Sequence, residues 1–519
     1  MKKCFTYIFV ILLFAVVFAA AIFAVNYYFK THRNTDTLGK TQTEFTADEN
    51  GTRIANIPFD DYITNMDMPV GSMIPEISEN ASGEDNSSAI NKSIKSLSSG
   101  GVVYIPGGEY KVSTIRLESN ITLFISKNAK LISLDCDENE KSSNALYYGV
   151  IYAENAENIV ITGGGKICGS GESYTLEPEV SEPLYALKEF NLYTRVIESR
   201  KRIRFGKETA RNNIIHFSGC KNATVDNVIL EESAGWTFVM NNCNDVTVKN
   251  TVIDNNMHVA NTDGIDICAS SNVFISDCFV ATGDDAIVLK SSDGEIHNVT
   301  VDNCVLSSFA NCFKIGTETQ FDINNINVKN CKFFLPDGMT GGYAGIAIES
   351  ADGSNVSDVT IDNIEMDGIS APILIWLGDR LKYDNKSVGS IKNIDISNVT
   401  AANTELPSAV TGCKHKGKIY SVQNVNLKNI NAVYRDTGEN LDVRKNVSSI
   451  SMNGYPEITR ISHFYFKSHE LSGYWDLPCY SLFIRYADDI QYSEYKTIPR
   501  TCSELKEIYI KDVNETEID

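Results

Sequence analysis

Asp263 lies in the stretch NTDGIDIC, and Asp284 and Asp285 open the next comparable stretch, GDDAIVLKS. Carboxylates brought together repel, so at least one member of such a group keeps its proton at a raised pKa. A protonated carboxyl can donate to a departing oxygen while an ionised neighbour takes a proton from water. That pairing is the chemistry of glycoside hydrolysis, and in inverting enzymes the two carboxyl groups stand roughly 6.5–9.5 Å apart with the water between them.

The elements that must gather these acids are visible as a repeat. An Asn or Asp, a short strand-forming run and a second Asn or Asp recur as NIVITG (Asn158), NATVDN (Asn222), DVTVKN (Asp245), NVFISD (Asn272) and NVTVDN (Asn298). The series continues as NINVKN (Asn325), DVTIDN (Asp358), NIDISN (Asn393) and NVNLKN (Asn424), with spacings from Asn222 of 23, 27, 26, 27, 33, 35 and 31 residues. Periods of this size belong to solenoids, and alternating Val, Ile and Thr between turn residues indicate strands. No unit buries its apolar face alone, so successive coils must stack. The expected fold is all-β, a right-handed single-stranded parallel β-helix of nine or ten coils with a short N-terminal capping helix. Aligning GIDIC, AIVLK, CFKIG, GIAIE and PILIW puts Asp263, Asp285 and Asn311 in one column, with rungs about 4.8 Å apart. Asn/Asp turn ladders are a structural alternative, but the next positions of this column are Asn311 and Ala344, so the acids are confined to two rungs.

The remaining chain is read around this solenoid. Ser87 to Gly101 carries Ile90, Ile94 and Leu97 on one helical face, with Asn86 or Ser87 as N-cap. Residues 1–30 form a signal peptide or membrane anchor: Lys2 and Lys3 precede an uncharged run from Cys4 to Phe29, long enough to cross a bilayer. Residues 31–51 read as a polar tether, 52–480 as the catalytic solenoid and 481–519 as a tail that could cap it. Export to the cell surface or exterior and a monomeric state are expected. Gly171 to Glu208 interrupts the repeat as an excursion beside the groove. A formal charge of −21, from 46 Lys+Arg against 67 Asp+Glu, argues against a nucleic-acid partner. Of 13 cysteines, Cys278, Cys304 and Cys331 share one phase of the repeat and Cys220 and Cys243 another, which predicts stacked interior thiols in place of disulfides.

NTDGID followed by GDDAI, with SAGWTF, DAIVLKS and the tail LPCYSLFIRY, resembles family-28 glycoside hydrolases, the polygalacturonase group of pectin-degrading β-helix enzymes, from about Gly101 to Tyr480. The resemblance implies pectic polysaccharide as partner, no cofactor and no metal. It also implies Asp284 as general acid, Asp263 and Asp285 as the water-activating pair, and Asn261 as their support. The family's Gly-His-Gly and Arg-Ile-Lys segments are replaced by ANC and AIE, so Asn311, Ala347 and Glu349 stand where histidine, arginine and lysine are expected. Lys290, Lys314 and Arg380 are the remaining cations near the groove and are taken, with Asn261 and Asn311, as substrate-binding candidates. CFKIGTET and GIAIESADG resemble a bacterial branch acting on branched or rhamnose-containing pectin. Two other classes stay open on the residues: a calcium-dependent β-elimination lyase on the same solenoid, and a cell-surface carbohydrate-binding solenoid.

Overall fold

The computed structural model describes residues 45–79, 84–135, 149–176, 204–205, 213–336, 339, 342–383, 387–434, 477, 479–499 and 506–518. The N-terminal hydrophobic segment and most of the excursion after Gly171 lie outside them. Among the described residues no helix is long and apolar enough to cross a membrane.

The Asn and Asp residues that bracket each repeat explain the architecture. Asn158, Asn222, Asp245, Asn272, Asn298, Asn325, Asp358, Asn393 and Asn424 all have φ between 48° and 58°. The closing residues Asn227, Asn250, Asp277, Asn303, Asn330, Asn363, Asn398 and Asn429 are left-handed as well. Asn and Asp tolerate this region better than other L-residues, so each repeat turns where the sequence places one. Stacked amides then satisfy each other from rung to rung: Asn272 Nδ2 donates to Asn244 Oδ1 (2.9 Å), Asn298 to Asn272 (2.8 Å) and Asn325 to Asn298 (2.6 Å).

Between the turns, parallel strands pair coil upon coil in a 28-stranded sheet that winds as a β-helix. One face of it carries the acidic motifs. Its strands include β1 (Phe238–Asn241), β2 (Ile265–Cys268), β3 (Ile287–Ser291), β4 (Asn311–Thr319) and β5 (Ala344–Ser350). Ile265 pairs with Ile287, Ile287 with Phe313 and Phe313 with Ile346, as the motif alignment requires. These four side chains and Phe238 point inward and are fully buried. Burying each contributes about 1.5–3 kcal/mol.

This face runs through twelve strands, from Ile115–Leu117 to Lys506–Ile518, against nine or ten coils expected. The difference lies mainly at the C-terminus. Residues Cys479–Ile498 and Lys506–Ile518 are two further parallel rungs, where the sequence suggested a covering tail. Their aromatic content hid the repeat. At the other end, helix α1 (Ser87–Ser96) caps the first coil with Ile90 and Ile94. Asn86 occupies its N-cap position but makes no capping bond; its side chain ties down Ser78 instead (2.8 Å from Ser78 N). Packing also begins earlier than the tether boundary suggested: Phe45 is 5% exposed and stacks on Phe334 at 4.4 Å.

The expected thiol stacks are present. Cys278, Cys304 and Cys331 are buried and free, as are Cys220 and Cys243. Each thiol donates to the carbonyl two residues before it, Cys278 to Ser276 O (3.1 Å), Cys304 to Asp302 O (3.4 Å) and Cys331 to Lys329 O (3.1 Å), and burial pushes the Cys304 thiol well above its ordinary range.

Candidate active site

The three aspartates converge at the edge of β2 and β3. Asp285 is paired with Asp263 one rung away, Gly264 N donating to Asp285 O at 2.9 Å. Asp284 stands at the turn just before β3. Gly283 makes that turn possible: a Cβ there would lie 2.0 Å from Val259 O, so only glycine lets the turn close onto the loop carrying Asn261. Thr262 Oγ1 locks the contact, accepting from Gly283 N (3.1 Å) and donating to Val259 O (2.8 Å). Asn261, with φ 60°, then aims its backbone N–H at Asp284 Oδ2 (3.0 Å). Ser308 braces Asp284 from the following rung, donating to its carbonyl at 2.5 Å.

Carboxylate oxygens of Asp263, Asp284 and Asp285 lie within 4.8 Å of one another. That is closer than the general inverting spacing, because adjacent rungs, and not opposite walls of a cleft, supply the acids. Asp263 and Asp285 are 3% and 4% exposed, whereas Asp284 is half-buried. Asp285 has both oxygens engaged: Oδ1 accepts from Asn311 Nδ2 (2.7 Å) and Oδ2 faces Lys314 Nζ (3.3 Å). Asp263 offers only Oδ2, to Lys290 Nζ at 2.8 Å. Its Oδ1 is buried and meets no partner among the described residues.

A fourth carboxylate, Asp266, escaped sequence reasoning. It is fully buried and accepts from Lys290 Nζ at 2.5 Å. The signal was available: Asp266 alternates with the inward Ile265 and Ile267, which sends it to the same outer face as the triad. Burial pushes the Asp263 carboxyl well above the usual range, Lys290 opposing and Asp266, Asp284 and Asp285 adding to it. Burial likewise raises Asp266, to about 6, against the pull of Lys290. Burial alone would depress the Lys290 ammonium, but Asp263 and Asp266 outweigh it and carry it well above its ordinary value.

The cations taken as substrate contacts all sit on protein acids. Lys290 and Lys314 are 5% and 3% exposed, bound to Asp263 with Asp266 and to Asp285. Arg380 is bound to Asp352, Glu318 Oε1 (3.2 Å) and Thr317 O (2.9 Å). Lys314 pairs in register with Ala347, so a cation stands one rung before the place where the family pattern expects arginine. Glu349, at the expected lysine, is fully buried. The three aspartates are near enough to surround a cation, but Lys290 and Lys314 already pair with Asp263 and Asp285, and we assign no metal to them.

A cluster of acids on one face of a parallel β-helix is the arrangement that a carbohydrate-cleaving solenoid needs. The match to known proteins narrows the class: residues 102–451 fit the model of glycosyl hydrolases family 28, and the chain belongs to that family. An endo-polygalacturonase of Pectobacterium parmentieri is 26% identical over 375 residues, covering 66% of this chain and 87% of that protein. A probable polygalacturonase of Arabidopsis thaliana is 30% identical over a shorter stretch, 32% of this chain and 36% of the other. The family 28 exopolygalacturonase of Yersinia enterocolitica superposes with a TM-score of 0.61 at 16% identity, covering 86% of this chain and 78% of that one. The structural match speaks for the fold; the family match makes the protein a glycoside hydrolase.

Proposed function

We propose that this hydrolase cleaves α-galacturonosyl-type linkages of pectic polysaccharide with inversion, Asp284 protonating the leaving oxygen while Asp263 and Asp285 hold the attacking water. The observation that carries this reading is the convergence of a half-buried carboxyl and two buried ones within 4.8 Å. The half-buried Asp284 can reach a glycosidic oxygen in the groove, and the buried pair shields a water from bulk solvent. Asn261 and Asn311 support the arrangement through Asp284 Oδ2 and Asp285 Oδ1. Inversion is general to the family.

Elimination chemistry is disfavoured by the lysines themselves. A lyase base must give up its proton near neutral pH, and Lys290 is driven the other way by its two carboxylates. Substrate choice follows from positions 347 and 349. With alanine and a buried glutamate there, the grip on the carboxylate of the reacting galacturonate is weakened. Each charge-assisted hydrogen bond lost there is worth about 1.5–3 kcal/mol. A rhamnose-containing or otherwise modified pectic linkage is therefore preferred over plain polygalacturonate. Reducing-end release and anomeric NMR on polygalacturonate and rhamnogalacturonan fragments test both points. Faster cleavage of plain polygalacturonate would refute the preference, and an unsaturated product absorbing in the ultraviolet would refute hydrolysis.

A further inference from the structure

We infer that Lys290 is a positioning residue that fixes Asp263, and not Asp285, as the base that takes the proton from water. This inference rests on the hydrolytic reading above and adds to it a division of labour inside the acidic pair.

The geometry separates two aspartates that sequence treats alike. Asp285 has an amide on one oxygen and an ammonium facing the other, so each oxygen already has a donor and is the weaker proton acceptor. Asp263 has an ammonium on Oδ2 only, and Oδ1 is buried without a partner among the described residues. A buried acceptor left unmatched is costly unless something fills it during function, and water is the reactant that this reaction brings. Lys290 therefore does two things. It pins Oδ2, which fixes where Oδ1 points, and it supplies the positive charge that lets a desolvated carboxylate ionise.

Lys290 is built for this duty. It reaches from β3 back to two acids on and before β2, with only 6% of its side chain exposed. The ring of Trp236, one rung before Asp263, lies 3.7 Å from its Nζ and closes the remaining side. A cation over an indole face is attracted to it, more strongly where water is excluded. The charged groups acting on Asp263 and Lys290 are Asp266, Asp284 and Asp285, with the Cys268 thiol beside them. Lys314 faces Asp285 from β4.

The step balances as follows. Water oxygen forms a bond to the anomeric carbon as the carbon–oxygen bond to the leaving sugar breaks. The proton of water passes to Asp263 Oδ1, and the proton of Asp284 passes to the leaving oxygen. Exchange with solvent then returns one proton to Asp284 and removes one from Asp263.

The test compares full-length wild type, Lys290→Met and Lys290→Met/Asp266→Asn on polygalacturonate and rhamnogalacturonan fragments. The double variant removes the second buried charge, so it keeps the fold if the single variant cannot. We expect kcat to fall about 100-fold with KM little changed in both variants, because both lose the group that pins Oδ2. The acidic limb of kcat/KM should move up by about one pH unit or more in Lys290→Met, and by less in the double variant, where loss of the Asp266 charge offsets part of the loss of the ammonium. A wild-type limb in Lys290→Met, recovery of full rate in the double variant, or a raised KM at unchanged kcat would overturn the assignment. The last would make Lys290 a substrate contact. Carboxyl ¹³C NMR, with Asp263→Asn to assign the Asp263 signal, gives a readout independent of turnover. An upward move of the Asp263 titration without Lys290 supports the assignment and an unmoved one refutes it. Wild type idle on both polymers would fail the substrate reading alone.

Discussion

Replacing Asp284 by Asn should cost the reaction and help the fold. Asp284 lies within 4.8 Å of both Asp263 and Asp285. Above the acidic range in which Asp284 holds the proton it donates, it is ionised, and two unit charges at that distance repel by about 3.5 kcal/mol at an effective dielectric of about 20. Charge centres are further apart than closest oxygens, and groove water reaches Asp284, so the relief from neutralising it is smaller. One backbone hydrogen bond, from Asn261 N or Asp285 N, is also lost when an oxygen becomes an amide, a loss of about 1 kcal/mol. The net gain comes to about 1–2 kcal/mol at pH 7. It should disappear near pH 4, where Asp263 and Asp266 are protonated because their folded-state values are raised. The same change removes the general acid and should lower kcat about 10²–10⁴-fold. Denaturant melts at the two pH values and reducing-end assays on the same preparations measure both effects. Equal destabilisation at pH 7 and pH 4, or more than a tenth of the wild-type rate, would refute the reasoning.

Asp254 provides a second pH handle. Burial lifts its carboxyl to about 6, against the pull of Arg53. Its folded value thus exceeds its unfolded one, so its contribution is fully present below about pH 4 and is lost as pH rises through about 6. Asp254→Asn should therefore gain about 3 kcal/mol relative to wild type between pH 4 and pH 7, read from melts at both; a pH-independent difference would contradict it. Thiol titration of unfolded, unreduced protein should find at least the ten described cysteines free, and near-complete oxidation would contradict the stacked thiols. EDTA should leave the rate unchanged, since Lys290 and Lys314 already supply the positive charge at the acids; a calcium requirement would contradict that.

What the sequence determined by itself was whatever repeats with the strand period. The left-handed turns at Asn222, Asn298 and Asn393, the inward run of Ile265, Ile287 and Phe313, the thiol stacks and the column joining Asp263 to Asp285 are all fixed by phase. A one-residue slip would turn every side chain to the other face, so the pattern admits one register. Tertiary structure decided what depends on reach and on exclusion of water. Lys290 and Lys314 read as groove cations because a long side chain shows no target in sequence; stacking brings each beside an aspartate of the preceding rung or rungs. Phe45 and the two C-terminal rungs were hidden for a related reason, since their partners Phe334 and Ser408–Thr411 lie far along the chain. The split between Asp263 and Asp285 arises last of all. It rests on which oxygen each buried donor occupies, and only the packed rungs settle that.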